Sequence, residues 1–398
     1  MTNPPNSHPK LIVQKYGGAT LADPEKIKHA AKRISALHQS GVKVVVVVSA
    51  MGQTTNQLID LAKQVSPHPH LRELDMLLTV GERISMSLLS MALNDLGCSA
   101  ISLTGSQAGI LTDENHVNAR IIDVKGFRVE EALKENKIVI LAGFQGVSPV
   151  TKEITTLGRG GSDTSAVAMA GFLKADRCEI LKDVDCVFTA DPKLVPNAQP
   201  IKNLNYQQLI EMTSWGAKVL HHHSVEMAQQ KNVKLYVGPA SNSLADGTLI
   251  TSDFNFPQHQ AVAVNSFSNV YEIKIDASID EASKKFHTLL QKAHVGHAQF
   301  LHSEEKSHFI TAADEVLLSL ATYEPKQTLF SIIKNNIAAI SVTYSETVTE
   351  SDFKQATQKL TEEKIKNIKS FALINSLHFF IEKEQKNAAV QALHSFIK

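Results

Sequence analysis

The sequence predicts an α/β protein: a mostly parallel sheet sandwiched by helices, followed by two small α+β units. Three observations carry this. Strand-like and helix-like segments alternate from residue 11 to about residue 237, the pattern of a parallel sheet covered on both faces. The run Lys43-Val-Val-Val-Val-Val-Ser49 is continuously β-branched, as a strand buried on both faces should be. After a turn-rich linker at 238–258, a βαββ order occurs twice.

Taken in order, 11–16 reads as a strand that ends in Gly17-Gly18. Asp23 is placed to cap a helix with Pro24 at its first position, and Ile27, Ala30, Ala31 and Ile34 fall on one face of it. Gly41 closes that segment and the valine strand follows. A long helical stretch is expected over 72–96, closed by Gly97. Further strands are expected at 99–103 and 138–142, and a second strand-helix series over 175–237. Beyond the linker the first small unit should have a strand at 270–276, a helix at 279–293 and strands around Gln299 and Phe309. The second should have a strand at 337–344, a helix at 351–363, strands near Phe371 and Phe379, and a last helix from Lys386 to Phe396. The domains drawn from this are 10–252 and 260–398, the latter divided at about 265–335 and 336–398.

Bulk properties remove several function classes. At 398 residues the chain exceeds one ordinary domain. Lysine plus arginine and aspartate plus glutamate balance at 40 each, so no global field draws in nucleic acid or an anionic membrane. Cys98, Cys178 and Cys186 form no CxxC pair, which argues against a disulfide framework or a zinc site and for a reducing compartment. The polar start MTNPPNSHPK is not secretory in character and reads as a flexible arm. The most apolar run, Val44 to Val48, is too short to cross a bilayer. A cytoplasmic protein without nucleic-acid or membrane partners is expected.

Four segments can carry chemistry. GxxxxGK[ST], HRD with DFG, and GxGxxG after a strand are all absent. Lys15-Tyr16-Gly17-Gly18 puts an ammonium and two small residues at the carboxyl edge of a parallel sheet, where backbone amides can approach a phosphate; alone, it is equally a strand-ending turn with a solvated lysine. Thr156-Leu-Gly-Arg159-Gly160-Gly161-Ser162-Asp163 runs into an apolar helix, with Ser162 or Asp163 as its cap. There Arg159 offers a fork for a carboxylate. Glu82, among Leu77, Leu78, Val80 and Ile84, is a candidate buried carboxylate that would need a positive partner such as a substrate ammonium; alone, it is an ordinary helix-surface residue beside Arg83. The acids of 181–193 and Lys218 could hold a nucleotide, or be turn chemistry. His221-His222-His223, as consecutive helical residues, should point apart and hold no shared ion.

Together these segments resemble the aspartate kinase family of the amino-acid kinase superfamily. The matching stretches occur in order: KYGG at Lys15, VVVVVSAMGQTTN at Val44, LLTVGERIS at Leu77, TGSQAGILT at Thr104, AGFQGV at Ala142, TTLGRGGSDTSAVA at Thr155, DVDCVFTADPKLVPNA at Asp183 and GAKVLHHHSVEMA at Gly216. They cover roughly residues 10–250. The resemblance implies that ATP, with Mg2+ carried by the nucleotide, phosphorylates the side-chain carboxylate of L-aspartate to 4-phospho-L-aspartate, the first step towards lysine, threonine and methionine. Lys15 and Asp163 would be the catalytic pair, with no protein metal ligands. Arg159 would take the substrate α-carboxylate and Glu82 its ammonium, with Ser49, Thr55, Gly160, Gly161 and Ser162 lining the same pocket. Tyr16, Gly17, Gly18, Lys182, Asp183, Phe188, Thr189, Asp191, Lys193, Lys218 and Val219 match nucleotide-binding positions. The last third resembles tandem ACT-type ferredoxin-like regulatory modules, which implies a homo-oligomer, a dimer through those modules.

The chain departs from the family pattern at a few places. Ala19-Thr20 follows KYGG where two hydroxyl residues are usual, Cys186 replaces a glycine, Phe188 a tyrosine, and His222-His223 a Pro-Arg. The Asp-Lys-Pro-Gly turn of the effector site is replaced by Asp276-Ala-Ser-Ile-Asp280, and the usual Gln-Asn pair is not evident near Gln299. Weak feedback by lysine or threonine is therefore expected. Two competing readings are a sister kinase acting on glutamate or acetylglutamate, and a catalytically silent amino-acid sensor. Arg159 with Glu82 argues against an N-acylated substrate, and retention of all four charged groups argues against the sensor.

Overall fold

The computed structural model describes residues 10–240, 247–275, 300–302, 307–311 and 330–397. The N-terminal arm before residue 10, the helix expected at 279–293, the turn at 276–280 and Gln299 lie outside the described residues. The chain divides into two compact units, 1–187 with 224–252 and 188–223 with 253–398.

In the first unit the elements follow the expected alternation. They are β1 (Leu11–Tyr16), α1 (Pro24–Gln39), β2 (Lys43–Val48), α2 (Thr54–Val65), α3 (Leu71–Leu78), α4 (Val80–Asp95), β3 (Ala100–Leu103), β4 (Ile110–Thr112), β5 (Ile121–Val124), α5 (Phe127–Lys134), β6 (Ile138–Ala142), β7 (Gln145–Val147), β8 (Ile154–Thr156), α6 (Gly161–Leu173) and β9 (Arg177–Lys182). The short strands β10 (Val187–Phe188), β11 (Pro200–Ile201) and β12 (Asn203–Leu204) and helices α7 (Tyr206–Ser214) and α8 (His222–Gln230) precede β13 (Leu235–Pro239) and β14 (Thr248–Ile250). Within the first unit the main sheet runs β14-β13-β9-β1-β2-β6-β3. Every neighbouring pair from β13 to β3 is parallel, and only β14 is antiparallel. Val44 to Val48 are fully buried at the centre of this sheet, which is what their β-branched side chains are suited to. Asp23 caps α1 by accepting from the Lys26 amide at 2.9 Å. The α1 stripe Ile27, Ala30, Ala31 and Ile34 packs in the core with Leu89 and Leu93 of α4.

The long helix expected at 72–96 is interrupted at Thr79, which separates α3 from α4. Thr79 Oγ1 donates to the Met76 carbonyl at 3.0 Å, and the Thr79 carbonyl accepts from Gln145 Nε2 at 3.2 Å. Side chains thus satisfy backbone groups that an unbroken helix would pair internally. The stretch Leu71–Asp95 is long and apolar enough to cross a membrane by length and composition. Here one of its faces, with Glu82, Ser85, Met86, Leu89 and Leu93, is buried in the protein. A separate four-stranded sheet, β5-β4-β7-β8, was not anticipated.

The second unit contains one six-stranded sheet. Its strands are β15 (Ala261–Ile275), β16 (Phe300–His302), β17 (Ser307–Thr311), β18 (Phe330–Tyr344), β19 (Asn367–Ala372) and β20 (Ser376–Glu382), with α9 (Glu350–Glu362) and α10 (Lys386–His394). The order is β16-β17-β15-β18-β20-β19. The long strands β15 and β18, the first of each expected repeat, pair antiparallel at the centre of this sheet, and the strand order is symmetric about that pair. One face of β18 and β20, through Ile340, Val342, Leu377 and Phe379, packs with Ala356 and Leu360 of α9 and Val390 and Leu393 of α10. Ala190 and Val195 join the same core, so residues 188–223, drawn with the first domain from sequence, group with the second unit. His221, His222 and His223 do not splay as consecutive helical residues would. The helix begins at His222, leaving His221 outside it, and the His222 and His223 ring centroids lie 4.1 Å apart.

Candidate active site

Strands β2, β1 and β9 end level with one another: Tyr16 is paired with Val48 on one side and Leu181 on the other. The turns that leave these strands therefore share the carboxyl edge of the sheet, where ligands of open α/β sheets bind. Lys15 reaches this edge, and its Nζ lies 2.6 Å from Asp163 Oδ1, both side chains being 8% exposed. Asp163 arrives on the first turn of α6, a helix whose Ala166 to Ala170 segment is wholly buried beneath the site.

Neither Ser162 nor Asp163 caps α6, contrary to the sequence expectation. The N-cap is Gly160, with a φ of 71° and no side-chain cap bond. The would-be caps are engaged elsewhere, Asp163 with Lys15 and Ser162 Oγ with Ser49 Oγ at 2.7 Å. The amino end of this thirteen-residue helix, favourable to anions, thus carries no side-chain cap.

Glu82 comes from the first turn of α4 and is 3% exposed. The Ala50 amide donates to its Oε1 at 3.0 Å, while Oε2 has no hydrogen-bond partner among the described residues. Burial pushes its carboxyl up to about 7, against the opposing pull of the Ala50 and Glu82 amides and the Lys15 charge. Ser49 and Ala50 lie in the turn after β2, so that one turn holds both Ser162 and Glu82. Thr55 sits half-buried in the first turn of α2, and Arg159 is exposed in the loop between β8 and α6.

Gly17 and Gly18 follow β1. A Cβ on Gly18 would lie 2.7 Å from the Ala50 carbonyl oxygen, so only glycine lets the two turns approach this closely. The Thr20 hydroxyl donates to the Gly17 carbonyl at 2.7 Å. Tyr16 is fully buried, its hydroxyl 3.4 Å from Gln14 Oε1. Beside these turns lies a cavity of about 510 Å³, lined among others by Tyr16, Ala19, Thr20, Lys182, Asp183, Asp185 and Ala240. Burial pushes the Lys182 ammonium below its ordinary range; Asp163 opposes that shift and Lys15 adds to it. At the strand edge Lys15 thus lies within electrostatic reach of Asp163, Lys182 and Glu82.

The other expected nucleotide positions belong to the second unit. Asp191, Lys193 and Lys218 are exposed there, Phe188 is half-buried, and Val219 is buried. The Thr189 hydroxyl is committed within that unit, lying 2.9 Å from His394 Nε2 and accepting from the Gln199 amide at 2.9 Å. Asp191 Oδ1 accepts from the Lys193 amide at 2.9 Å, closing a turn.

Two polar groups beside the site went unremarked in the sequence. Gln14 Nε2 donates across the sheet to Glu179 at 2.7 Å, and Arg177 Nε donates to the same carboxylate at 2.7 Å. Asp75, fully buried on α3, accepts from Thr156, Val117 and His116. An acid inside the apolar run LDMLL was the available signal.

Comparison with known proteins identifies the family and the fold. Residues 10–239 match the model of the amino acid kinase family. The chain is 50% identical to the aspartokinase of Corynebacterium efficiens over 285 residues, 70% of this chain and 68% of that one. It is 54% identical to the aspartokinase of Mycobacterium bovis over 240 residues, 60% of this chain and 57% of that one. The solved structure of Escherichia coli aspartokinase III in complex with aspartate and ADP superposes with a TM-score of 0.81, covering 97% of this chain and 99% of that one at 21% identity.

Proposed function

We infer that this chain, which belongs to the amino acid kinase family, is an aspartate kinase. It transfers the γ-phosphoryl group of MgATP to the β-carboxylate of L-aspartate, giving ADP and 4-phospho-L-aspartate. The aspartokinase relatives support the activity. The observation that carries the assignment of roles is the buried Lys15–Asp163 pair beside a buried glutamate with an open oxygen.

An oxygen of the substrate carboxylate forms a bond to the γ-phosphorus as the bond from that phosphorus to the β,γ-bridging oxygen breaks. The electron pair of the broken bond leaves on ADP. The nucleophile is already ionised at neutral pH, so no protein base is needed. What remains is positioning and charge. Lys15 stabilises the phosphoryl oxygens in flight, and Asp163 holds the ammonium in place from the opposite side. Glu82 receives the substrate ammonium on its open Oε2, and Arg159 receives the α-carboxylate as a fork. Ser49, Thr55 and Ser162, with the backbone of Gly160 and Gly161, line the space between. Magnesium enters with the nucleotide, held by phosphate oxygens and water. Tyr16, Gly17, Gly18, Lys182 and Asp183 border the nucleotide in the first unit. A homodimer through the C-terminal sheet and a cytoplasmic setting go with this reading.

ADP release with aspartate, glutamate or acetylglutamate as acceptor tests it. Turnover is expected with aspartate alone. Equal rates with glutamate would overturn the substrate, and tight aspartate binding without ADP release would identify a sensor instead.

A further inference from the structure

Asp75 has no exposed surface, yet it takes no part in the chemistry just described. Its carboxylate accepts from Thr156 Oγ1 at 2.6 Å and lies 2.6 Å from His116 Nδ1. It also accepts from the Val117 amide, at 3.0 Å to Oδ1 and 3.2 Å to Oδ2. Both oxygens are therefore engaged, by groups from two segments remote in sequence. Burying a carboxylate is costly unless it is fully bonded. Asp75 ties α3 to the segments at Val117 and Thr156.

The parts it joins are the two grips of the amino acid. Asp75 lies on α3, which passes through Thr79 directly into α4 and Glu82. Thr156 is the last residue of β8, three positions before Arg159. The 116–119 segment is tied to the same strand end, since the Ala119 amide donates to the Thr156 carbonyl at 2.8 Å. It also supports the loop beyond: a Cβ on Gly158, where φ is 69°, would lie 2.1 Å from Asn118 Oδ1. The Arg159 loop thus leans on the segment that Asp75 holds.

We propose that Asp75, with Thr156 and His116, is a positioning residue that fixes the Arg159 loop relative to Glu82, and so sets the span of the clamp for an α-amino acid. The inference rests on the roles proposed above for Arg159 and Glu82.

The test measures KM for aspartate, KM for ATP and kcat in Thr156→Val, Thr156→Ser, Asp75→Asn, Arg159→Ala and Asp75→Asn/Arg159→Ala. Thr156→Val removes one donor at nearly constant volume, and Thr156→Ser keeps it. Thr156→Val and Asp75→Asn are expected to raise KM for aspartate about tenfold or more, the loss of one charge-assisted bond's worth of alignment. KM for ATP should stay within about twofold, and Thr156→Ser should behave as wild type. Because Asp75 acts through Arg159, the double variant should bind aspartate no worse than Arg159→Ala alone. Multiplying effects in the double variant would overturn the proposal, as would equal losses toward aspartate and ATP. Should Asp75→Asn fail to fold, the Thr156 pair decides by the same KM comparison. If Arg159→Ala itself leaves KM for aspartate unchanged, the clamp reading fails and this inference falls with it. If only the Asp75 and Thr156 variants are silent, this inference alone is wrong.

Discussion

Each unit draws a glutamate out of water, Glu82 buried and Glu211 half-buried, and the two are treated in opposite ways. In the first unit Glu82 keeps one oxygen without a partner, and burial pushes its carboxyl up to about 7. In the second, burial also pushes Glu211 upward, but bonds from His378, Ser376 and Trp215 outweigh it and hold the carboxyl below its ordinary range. Glu211 Oε1 accepts from Ser376 Oγ and lies 3.3 Å from His378 Nε2. The C-terminal cluster is complete in itself. In the function proposed above, the N-terminal one is completed by a ligand that brings a positive charge. Incomplete satisfaction of a buried charge is then what separates a binding group from a structural one.

The largest loss is expected at the chemistry itself. Lys15→Ala should lower kcat about a thousandfold or more, whereas Glu211→Gln should leave kcat within about twofold; steady-state kinetics on both variants checks this. A kcat near wild type in Lys15→Ala would remove the proposed centre.

The next largest effect belongs to Glu82. An ammonium needs the ionised carboxylate, and the raised pKa means that the ligand-free protein carries that form only as pH rises through about 7. KM for aspartate should therefore fall between pH 6 and pH 8 in the wild type. Glu82→Gln should raise KM for aspartate roughly a hundredfold and remove that pH dependence. The same substitution should stabilise the fold. A carboxyl with its folded pKa raised disfavours folding above the unfolded value, fully so above about pH 7. At pH 8 the gain is on the order of 1–2 kcal/mol, part of the ionisation cost being offset by the amide's own open donor. A Glu82→Gln protein that melts lower than wild type at pH 8 would contradict the assignment.

How much of this was legible in the sequence follows the range of the interaction. The valine strand, the Asp23–Pro24 helix start and the position of Lys15 at a strand end depend on near neighbours, and they stand as read. Among the described residues, the order of strands and helices from β15 to α10 was readable from periodicity for the same reason, though the sequence underestimated β15 and β18, each of 15 residues. What failed was decided at long range. Ser162 and Asp163 have the chemistry of caps, but partners more than a hundred residues away, Ser49 and Lys15, claim them. Asp75 looks like an incidental acid until Thr156 and His116 come to it. The strands of the small sheet are 3 or 4 residues long, too short to display alternation.

His378 is fully buried, with its ring against Trp215 at a centroid distance of 4.0 Å. Burial holds its pKa below the ordinary histidine range, outweighing the attraction of Glu211. Its Nδ1 lacks a partner among the described residues, in keeping with a neutral ring whose Nε2 carries the proton toward Ser376 Oγ and Glu211. The unfolded chain takes up a proton at this histidine near pH 6.5, and the fold resists it. That stability is present above pH 6.5 and is lost as pH falls through the lowered folded value. Glu211, also lowered, adds a second loss that begins only below the ordinary glutamate range of about 4.3. The two steps are thus separated on the pH axis. In His378→Phe the first step should vanish, flattening the dependence of stability on pH between 6.5 and 5 by up to about 1.4 kcal/mol per pH unit. Denaturant unfolding followed by the emission of Trp215, the sole tryptophan, reads this directly. Identical slopes in wild type and variant would mean that the imidazole is charged in the fold, and that this cluster is held by an ion pair rather than by neutral hydrogen bonds.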